Sequence, residues 1–341
     1  MKRKTSKLYS AILATGVVAS FASATRAQIA TLDKGHALLI TNGLQQWGFA
    51  SDVSYHLDYP TLENANLTAV NWGFSGTEMG ALAPGNKWGK WTDWRYNGTT
   101  ITPQTALTAD ENAHKADLIT VQVGDEANQS DMETGTQTRD WFLAAGNGTA
   151  TTSDDVFPNS LLYVNSFFIN SDAGYANFLS TANPDAISWD SYPFSNPAGH
   201  YITPTNWLSL GQHFRRHGLG SYIGATGASP RPYGLYTQTY HDDFAIDPGE
   251  VQIRWQAFAA WTMGYTFTDS FIYLGGNNNF ASSSGDPNGL YAHYKETARQ
   301  SKNLGPALVR LISTGSGTSI VRGQDASGGT TSVPGNGWVP S

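Results

Sequence analysis

Residues 118–129 read LITVQVGDEANQ, in which a short apolar run breaks into Gly124, Asp125 and Glu126. β-branched residues are frequent in the run, and polar residues interrupt it only twice, which is typical of a buried strand. In α/β proteins with a parallel sheet, ligands bind at the carboxyl ends of the strands. The stretch therefore predicts a strand that delivers two carboxylates to a site. The alternative is that one of them only caps a following helix, which leaves its neighbour unexplained.

Strand-like and helix-like segments alternate through the rest of the chain. The predicted strands are 36–41, 67–72, 118–123, 161–168, 186–189, 221–225 and 266–274. The predicted helices are 103–117, 130–145, 173–181, 204–217, 249–263 and 291–311. This alternation predicts parallel pairing with right-handed crossovers. We expect an α/β fold, a single (β/α)8 TIM barrel whose remaining strand lies in the poorly patterned region 76–102.

The amino terminus has the features of a secretory signal peptide. Basic residues precede an apolar run over 8–22, and Ala22, Ser23 and Ala24 form a small-residue cleavage site. A second site after Ala27 fits equally well. We therefore expect residues 1–27 to be removed and the protein to be exported, to the periplasm, the cell surface or the medium. The barrel is expected over 28–313, followed by a linker or tail over 314–341 that is rich in Gly, Ser and Thr.

Composition restricts the class of partner. Removal of residues 1–27 takes Lys and Arg from 20 to 15 against 27 Asp and Glu, a net charge of −12, which argues against nucleic acid and anionic membranes. Apart from the short signal run, no segment approaches a membrane span.

Cysteine is absent, so the fold must be stable through its core alone. The 11 Trp, 16 Tyr and 15 Phe beside only 14% charged residues suit a protein that stacks rings on sugars, although core packing is the alternative for any one ring.

Several kinds of site are not indicated by the sequence. No phosphate loop, GxGxxG or GxSxG motif follows a predicted strand, and we find no His pair at metal-ligand spacing, so no cofactor or metal is expected. The residues His213, Arg215, Arg216 and His217 are interpreted as a solvated helix end, where the helix dipole favours cations.

Carboxylates, amides and aromatic rings collect at the predicted strand ends. They are Gln45, Trp47, Asn71, Trp72, Asp125, Glu126, Asn128, Asp190 and Tyr192, and Asp269 lies within the last strand. In a barrel these ends converge on one face. Cleavage of a glycosidic bond needs one acid to protonate the leaving oxygen and a second carboxylate to attack or to activate water. We therefore expect a carbohydrate site, with two or more of Trp47, Trp72 and Tyr192 stacking on the sugar.

Four motifs carry a resemblance to a known family. They are GDEANQ at 124–129, DAISWDSYPF at 185–194, GEVQIRWQAFAAWTMGYTF at 249–267 and NLGPALVRL at 303–311. Together they resemble the TIM-barrel glycoside hydrolases of the large retaining clan, and more closely their secreted bacterial relatives with a GDEP-type acid motif, a DYYPF-type strand end and an ExRxQxxxALAxG helix. The resemblance spans roughly residues 38–311. It implies an exported glycosidase with Glu126 as acid/base.

The chain departs from that family at the seventh strand. The clan carries its nucleophile there as a Glu, whereas residues 221–232 contain no acid. Asp190 is the first candidate for the second carboxylate and Glu250 the second, although Glu250 also suits a helix-dipole contact and an i, i+4 pair with Arg254. Gln45, Trp47, Asn71, Trp72, Asp125, Asn128 and Tyr192 are the candidates for substrate binding. The alternative function is a catalytically inactive barrel that only binds carbohydrate.

Overall fold

The computed structural model describes residues 34–50, 65–72, 87–91, 107–123, 157–166, 169, 171–194, 203–219, 231–240, 248–274, 289–310, 321–324 and 330–333. The strands are β1 (Gln45–Ala50), β2 (Ala69–Trp72), β3 (Lys87–Trp91), β4 (Leu118–Gln122), β5 (Leu161–Tyr163), β6 (Asn165–Ser166), β7 (Ser188–Trp189), β8 (Gly234–Gln238), β9 (Phe267–Leu274), β10 (Val321–Gln324) and β11 (Thr330–Val333). The helices are α1 (Lys34–Asn42), α2 (Ala109–Ala113), a 3₁₀ turn (Lys115–Asp117), α3 (Asp172–Ala182), α4 (Pro204–Gly218), α5 (Glu250–Thr262) and α6 (Gly289–Leu308).

Seven of these strands form one parallel sheet, in the order β5-β4-β3-β2-β1-β9-β8. Every pairing in the sheet is parallel, which confirms the predicted α/β class. β4 and β8 are five positions apart in this order, which in a flat sheet would separate them by about 24 Å. The hydroxyl of Tyr236 on β8 nevertheless donates a hydrogen bond to Gln122 Oε1 on β4. The sheet therefore curls strongly, so that side chains from its two ends meet on the concave side.

Further parallel pairs adjoin the two outer strands of this sheet. β6 follows β5 after one residue and pairs in parallel with β7. Beside β7, Ile187 forms an isolated parallel bridge with Tyr233, the residue before β8. Backbone hydrogen bonds accompany this bridge, from Ile187 N to Pro232 O (3.0 Å) and from Gly234 N to Ile187 O (2.8 Å).

The prediction of a strand over 36–41 is wrong, because this segment lies in helix α1. Periodicity cannot distinguish a short apolar run in a strand from one in a helix. The overlooked signal is Gly43, which has a φ of 81° and whose amide bonds to Leu39 O, the arrangement with which glycine ends a helix. The first strand follows directly, as β1 at Gln45–Ala50.

The region 76–102 does contain a strand, as predicted. β3 lies between β2 and β4, and its central Gly89 explains why the pattern is weak. A Cβ at Gly89 would lie 2.3 Å from Thr120 Cγ2 and 2.6 Å from Asn71 Oδ1. Glycine therefore allows the neighbouring side chains to cross this strand closely.

The long loop predicted after residue 225 is a second correction. The predicted strand 221–225 lies outside the described residues, whereas β8 occupies 234–238, where the sequence predicted a long loop. Gly234 opens this strand at a place where a Cβ would overlap the ring of Phe267. The glycine and Pro232 before it resemble turn residues, and they obscured a short buried strand.

The remaining described segments are helices or strands as predicted, but their ends are shifted. The strands predicted at 67–72, 118–123, 161–168, 186–189 and 266–274 correspond to β2, β4, β5 with β6, β7 and β9. Of the predicted helix 103–117, the described part is helix only from Ala109, where Thr108 and Glu111 form a capping box. The helix predicted at 130–145 lies outside the described residues. Within the predicted tail, β10 and β11 form an antiparallel pair.

Aromatic side chains fill much of the described core. Trp47, Trp88, Trp189 and Trp207 are fully buried, and Trp189 stacks on Phe214 of α4 with ring centroids 5.5 Å apart. α6 covers β1, where Gln46 Nε2 donates to Ala298 O at 3.0 Å. Among the described residues, no helix is both long and apolar enough to cross a membrane.

Candidate active site at the carboxyl ends of the strands

Two candidate carboxylates, Asp125 and Glu126, follow β4 in the sequence. Glu126, Asp125 and Asn128 lie outside the described residues, so their roles stay predictions. The strand that leads to them is confirmed. β4 is buried along its whole length, and its extension continues the pairing through a hydrogen bond of 2.7 Å from Val123 N to Tyr163 O.

Asp190 lies at the carboxyl end of β7, as predicted, and only 5% of its surface is exposed. Its backbone amide donates to Ser166 O at 3.1 Å, which keeps it in register with the end of β6. Two residues later, Tyr192 stacks on Phe271 at 5.8 Å and meets Tyr240 edge-on at 5.2 Å. The structure thus places a buried carboxylate and an aromatic group together where parallel strands end.

Gln45 and Trp47 are not where the sequence predicted them. The correction to β1 places Gln45 at the start of the first strand and Trp47 inside it, rather than beyond its carboxyl end. Gln45 Nε2 donates to Gly43 O at 2.8 Å. The ring of Trp47 is fully buried and stacks on Phe267 at 4.9 Å, so it is a core residue. Trp72 ends β2, and its side chain is outside the described part of the chain.

Asn71 belongs to a polar network on the concave side of the sheet. Its Nδ2 donates to Asp269 Oδ2 at 2.9 Å and to the hydroxyl of Tyr163 at 3.2 Å. Tyr163 in turn donates to Gln122 Oε1 at 3.1 Å, which also accepts from Tyr236. All five residues are buried, and they come from β2, β4, β5, β8 and β9. Because buried polar groups need partners, this network holds five strands in one arrangement.

Burial raises the pKa of the Tyr163 hydroxyl well above its usual value, and the negative charge of Asp269 raises it further. The phenol is therefore a neutral hydrogen-bond donor throughout the physiological range. Asn71 and Asp269 are candidates from the sequence, whereas Gln122, Tyr163 and Tyr236 were not predicted. A polar side chain within an otherwise apolar strand is the sequence feature that could have identified these three residues.

Glu250 lies at the first position of α5, and 58% of its side chain is exposed. Its carboxylate is 3.9 Å from the Arg254 guanidinium, one helical turn away. This geometry is that of a surface pair at a helix start, where a negative charge also interacts favourably with the helix dipole.

An amide, not an acid, ends the strand that follows α4. Gln238 is the last residue of β8 and is fully buried. Its side-chain oxygen accepts from Phe194 N at 3.1 Å. Its backbone is held by Gln256 of α5, whose Oε1 accepts from Gln238 N at 2.7 Å and whose Nε2 donates to Gln238 O at 3.1 Å. The Gln of the family-like helix motif therefore positions the end of β8.

The basic cluster on α4 is a further correction. His213 and His217 are one helical turn apart, so the finding of no His pair at metal-ligand spacing was wrong. Arg215 and His217 are buried, whereas Arg216 is exposed, so the prediction of a solvated helix end is wrong for two of the four residues. Both imidazoles contact Asp172 at the start of α3. Hydrophobic packing turned this part of the helix inward, which helix-dipole reasoning alone did not anticipate.

No family model matches the sequence, and no curated protein matches it. Similar solved structures include a β-galactosidase from the Antarctic haloarchaeon Halorubrum lacusprofundi, with a TM-score of 0.43, 12% identity, and coverage of 76% of this chain and 58% of that one. An exo-β-1,4-mannosidase from Opitutaceae bacterium strain TAV5 has a TM-score of 0.44, 11% identity, and coverage of 76% and 60%.

A third similar structure is pyruvate carboxylase from Rhizobium etli, with a TM-score of 0.38, 12% identity, and coverage of 85% of this chain and 30% of that one. Two of these three structures are glycosidases by name, and this chain spans less than two thirds of the length of either.

Proposed function

We propose that the curled sheet closes into a complete (β/α)8 barrel. β5 and β6, separated only by Val164, count as one strand that pairs with β4 on one side and with β7 on the other. The bridge between Ile187 and Tyr233 then joins β7 to β8. With these pairings the ring contains eight parallel strands, the number that such a barrel needs. In this count β4 is the fourth strand and β8 the seventh.

The proposed activity is that of a glycoside hydrolase, an exported enzyme that cleaves the glycosidic bonds of an oligo- or polysaccharide. The main support for this activity is Asp190, which is buried at the carboxyl end of β7. The carboxyl end of β4 lies on the same side of the sheet, and the chain continues from it into Asp125 and Glu126. One strand separates β4 from β7, so their backbones lie about 10 Å apart. Two carboxylates extending from such positions fit the separations of about 5 to 9.5 Å that glycosidic hydrolysis uses.

In this proposal Glu126 is the acid/base and Asp190 the second carboxylate. Protonated Glu126 gives its proton to the glycosidic oxygen as the bond to the anomeric carbon breaks. Asp190 attacks that carbon, and water then displaces it while Glu126 takes the proton from the water. The resemblance to the retaining clan favours this double displacement over direct attack by water. Tyr192, two residues after Asp190, is the aromatic residue proposed to contact the sugar.

The test is hydrolysis of a panel of aryl glycosides and polysaccharides by the purified protein and its variants. Glu126→Gln should lower kcat by about 10²-fold or more while sugar affinity persists, because a positioned proton donor contributes roughly 10²- to 10⁴-fold. Asp190→Asn should also remove most of the turnover, because an amide cannot replace the carboxylate that attacks the anomeric carbon. Glu296→Gln, on the exposed side of α6, is the matched control and should hydrolyse normally.

Turnover that survives Glu126→Gln would overturn the assignment of the acid. If Glu250→Gln loses turnover while Asp190→Asn remains active, the second catalytic carboxylate is Glu250 and not Asp190.

A second candidate function is carbohydrate binding without catalysis. Gln238 favours it, because the resembled clan carries its nucleophile at the end of the seventh strand and β8 ends in this amide. An amide oxygen is a far weaker nucleophile than a carboxylate, and it serves well as a hydrogen-bond partner for sugar hydroxyls. Isothermal titration that detects oligosaccharide binding by a protein that releases no product from the panel would establish this function instead.

A further inference from the structure

Asp172, His213 and His217 form a compact cluster between two helices, separate from the strand-end site. The two histidines are four residues apart on α4 and share one face of that helix, and Asp172 is the first residue of α3. Nε2 of His213 lies 2.5 Å from Asp172 Oδ1, and Nε2 of His217 lies 2.9 Å from the same oxygen. The three ligand atoms all lie within 4.8 Å of one another.

We propose that this cluster binds a divalent transition-metal ion of the zinc type and so cross-links α3 to α4. Two imidazole nitrogens and one carboxylate oxygen are a donor set that such ions take in proteins, with open positions filled by water. Hard cations such as Mg²⁺ are bound mainly by oxygen, so a site with two imidazoles discriminates against them.

The distances fit this assignment after a small adjustment. Metal–ligand bonds of about 2.0 to 2.2 Å in a tetrahedral arrangement place the ligand atoms roughly 3.3 Å apart. The separations of 2.5 and 2.9 Å from Asp172 Oδ1 need to widen by less than about 1 Å to reach that value. The His213 and Asp172 side chains are 30% and 40% exposed, which leaves them room to rotate.

One ligand is fixed by the core, and the opposite side of the site is open. The His217 side chain is 1% exposed, and its ring meets that of Tyr175 edge-on at 4.9 Å. Tyr175 also contacts Phe214 of α4 at 5.8 Å. Ser171 caps α3 by accepting from Gly174 N at 3.2 Å, which fixes the turn that carries Asp172. The cluster is thus held on packed elements and is accessible to water and ions from one side.

The test uses the full chain purified without a histidine tag, stripped with EDTA, dialysed and titrated with zinc chloride in a calorimeter. The expected result is saturable binding of one zinc ion per chain, with a rise in Tm on saturation. His213→Gln removes the half-exposed ligand and should weaken zinc binding by about tenfold or more, since even indirect supports of a metal site are worth 10- to 100-fold. His293→Gln on α6 is the matched control and should bind as the original chain does.

Asp172→Asn is the second variant, because it keeps the size and a hydrogen-bonding oxygen while removing the charge. It should also weaken zinc binding, while its fold is checked by circular dichroism. Magnesium chloride should give no saturable heat. Failure of the stripped chain to bind zinc, or zinc binding that survives both His213→Gln and Asp172→Asn, would overturn the proposal. Neither result depends on glycosidase activity, so the two proposals fail separately.

Discussion

Single polar side chains organise the concave side of the sheet. Gln122 offers one oxygen that accepts from Tyr163, Tyr236 and Asn71, the last at 3.5 Å. These donors come from three different strands, and all are buried. A buried donor that loses its acceptor costs more than the hydrogen bond contributed, because its lost hydration is not replaced. The network is therefore a sensitive point for stability even though none of these contacts is an ion pair.

Replacement of Gln122 by Leu should lower the free energy of unfolding by on the order of 3 kcal/mol, because two buried hydroxyls lose their acceptor. Tyr236→Phe removes only one donor and leaves Gln122 with its other partners, so its expected cost is about 1 kcal/mol. Urea denaturation of both variants measures the difference. If both variants lose the same free energy of unfolding, or if Gln122→Leu loses none, then Gln122 does not act as a shared acceptor.

At the scale of elements, several helix ends are set by interactions within a few residues, whereas the type of a short apolar run is not. Thr108 and Glu111 cap α2, Thr203 caps α4, and Gly43 ends α1, each through a short-range hydrogen bond or backbone preference. The type of the apolar run 36–41 was misjudged, because its burial depends on what packs against it. In β3, the need for glycine at Gly89 is explained only by the side chains of the adjacent strands.

Gly89→Ala should destabilise the protein by about 1–3 kcal/mol, the usual cost of forcing extra atoms into a packed core. The new Cβ would meet Thr120 Cγ2 at 2.3 Å and Asn71 Oδ1 at 2.6 Å. Thr120→Ser removes the first of these contacts, so the double variant Gly89→Ala/Thr120→Ser should recover part of the loss. Thermal unfolding of the two single variants and the double variant checks this. Strictly additive effects would show that β3 and β4 do not approach as closely as described.

At the scale of the whole molecule, the proposed closure of the barrel depends on a few backbone contacts between β7 and β8. The other neighbouring strands pair over at least two successive residues, whereas β7 and β8 are joined by the single bridge at Ile187. Closure removes the exposed strand edges that an open curled sheet would leave, and such edges promote aggregation.

Hydrogen exchange followed by mass spectrometry tests the closure. In a closed barrel, peptides that contain Ile187 and Gly234 should exchange about as slowly as those from the β1–β9 pair, because both report on backbone hydrogen bonds inside the same cooperative unit. Rapid exchange confined to the β7–β8 pair would indicate an open seam and would contradict the eight-stranded ring. The hairpin of β10 and β11 serves as an internal reference outside the barrel strands.

Much of the architecture was readable from the sequence because it depends on short-range patterns. The alternation of apolar strands with capped helices gave the parallel α/β class, the buried strand β4, and a carboxylate at the end of β7. Carbohydrate as the substrate class stays a prediction of the strand-end residues and the family-like motifs. The missing strand was expected in the region where β3 lies.

Only the tertiary structure showed that the apolar run at 36–41 belongs to helix α1. It also showed that the strand after α4 is β8, at 234–238. It also brought together residues far apart in sequence, such as Asn71 with Asp269 and Asp172 with His217. Local propensity depends on neighbours within a few residues, whereas these contacts require the sheet to curl and the helices to pack. The burial that brings polar side chains into one network is a property of the folded chain, because packing between distant segments creates it.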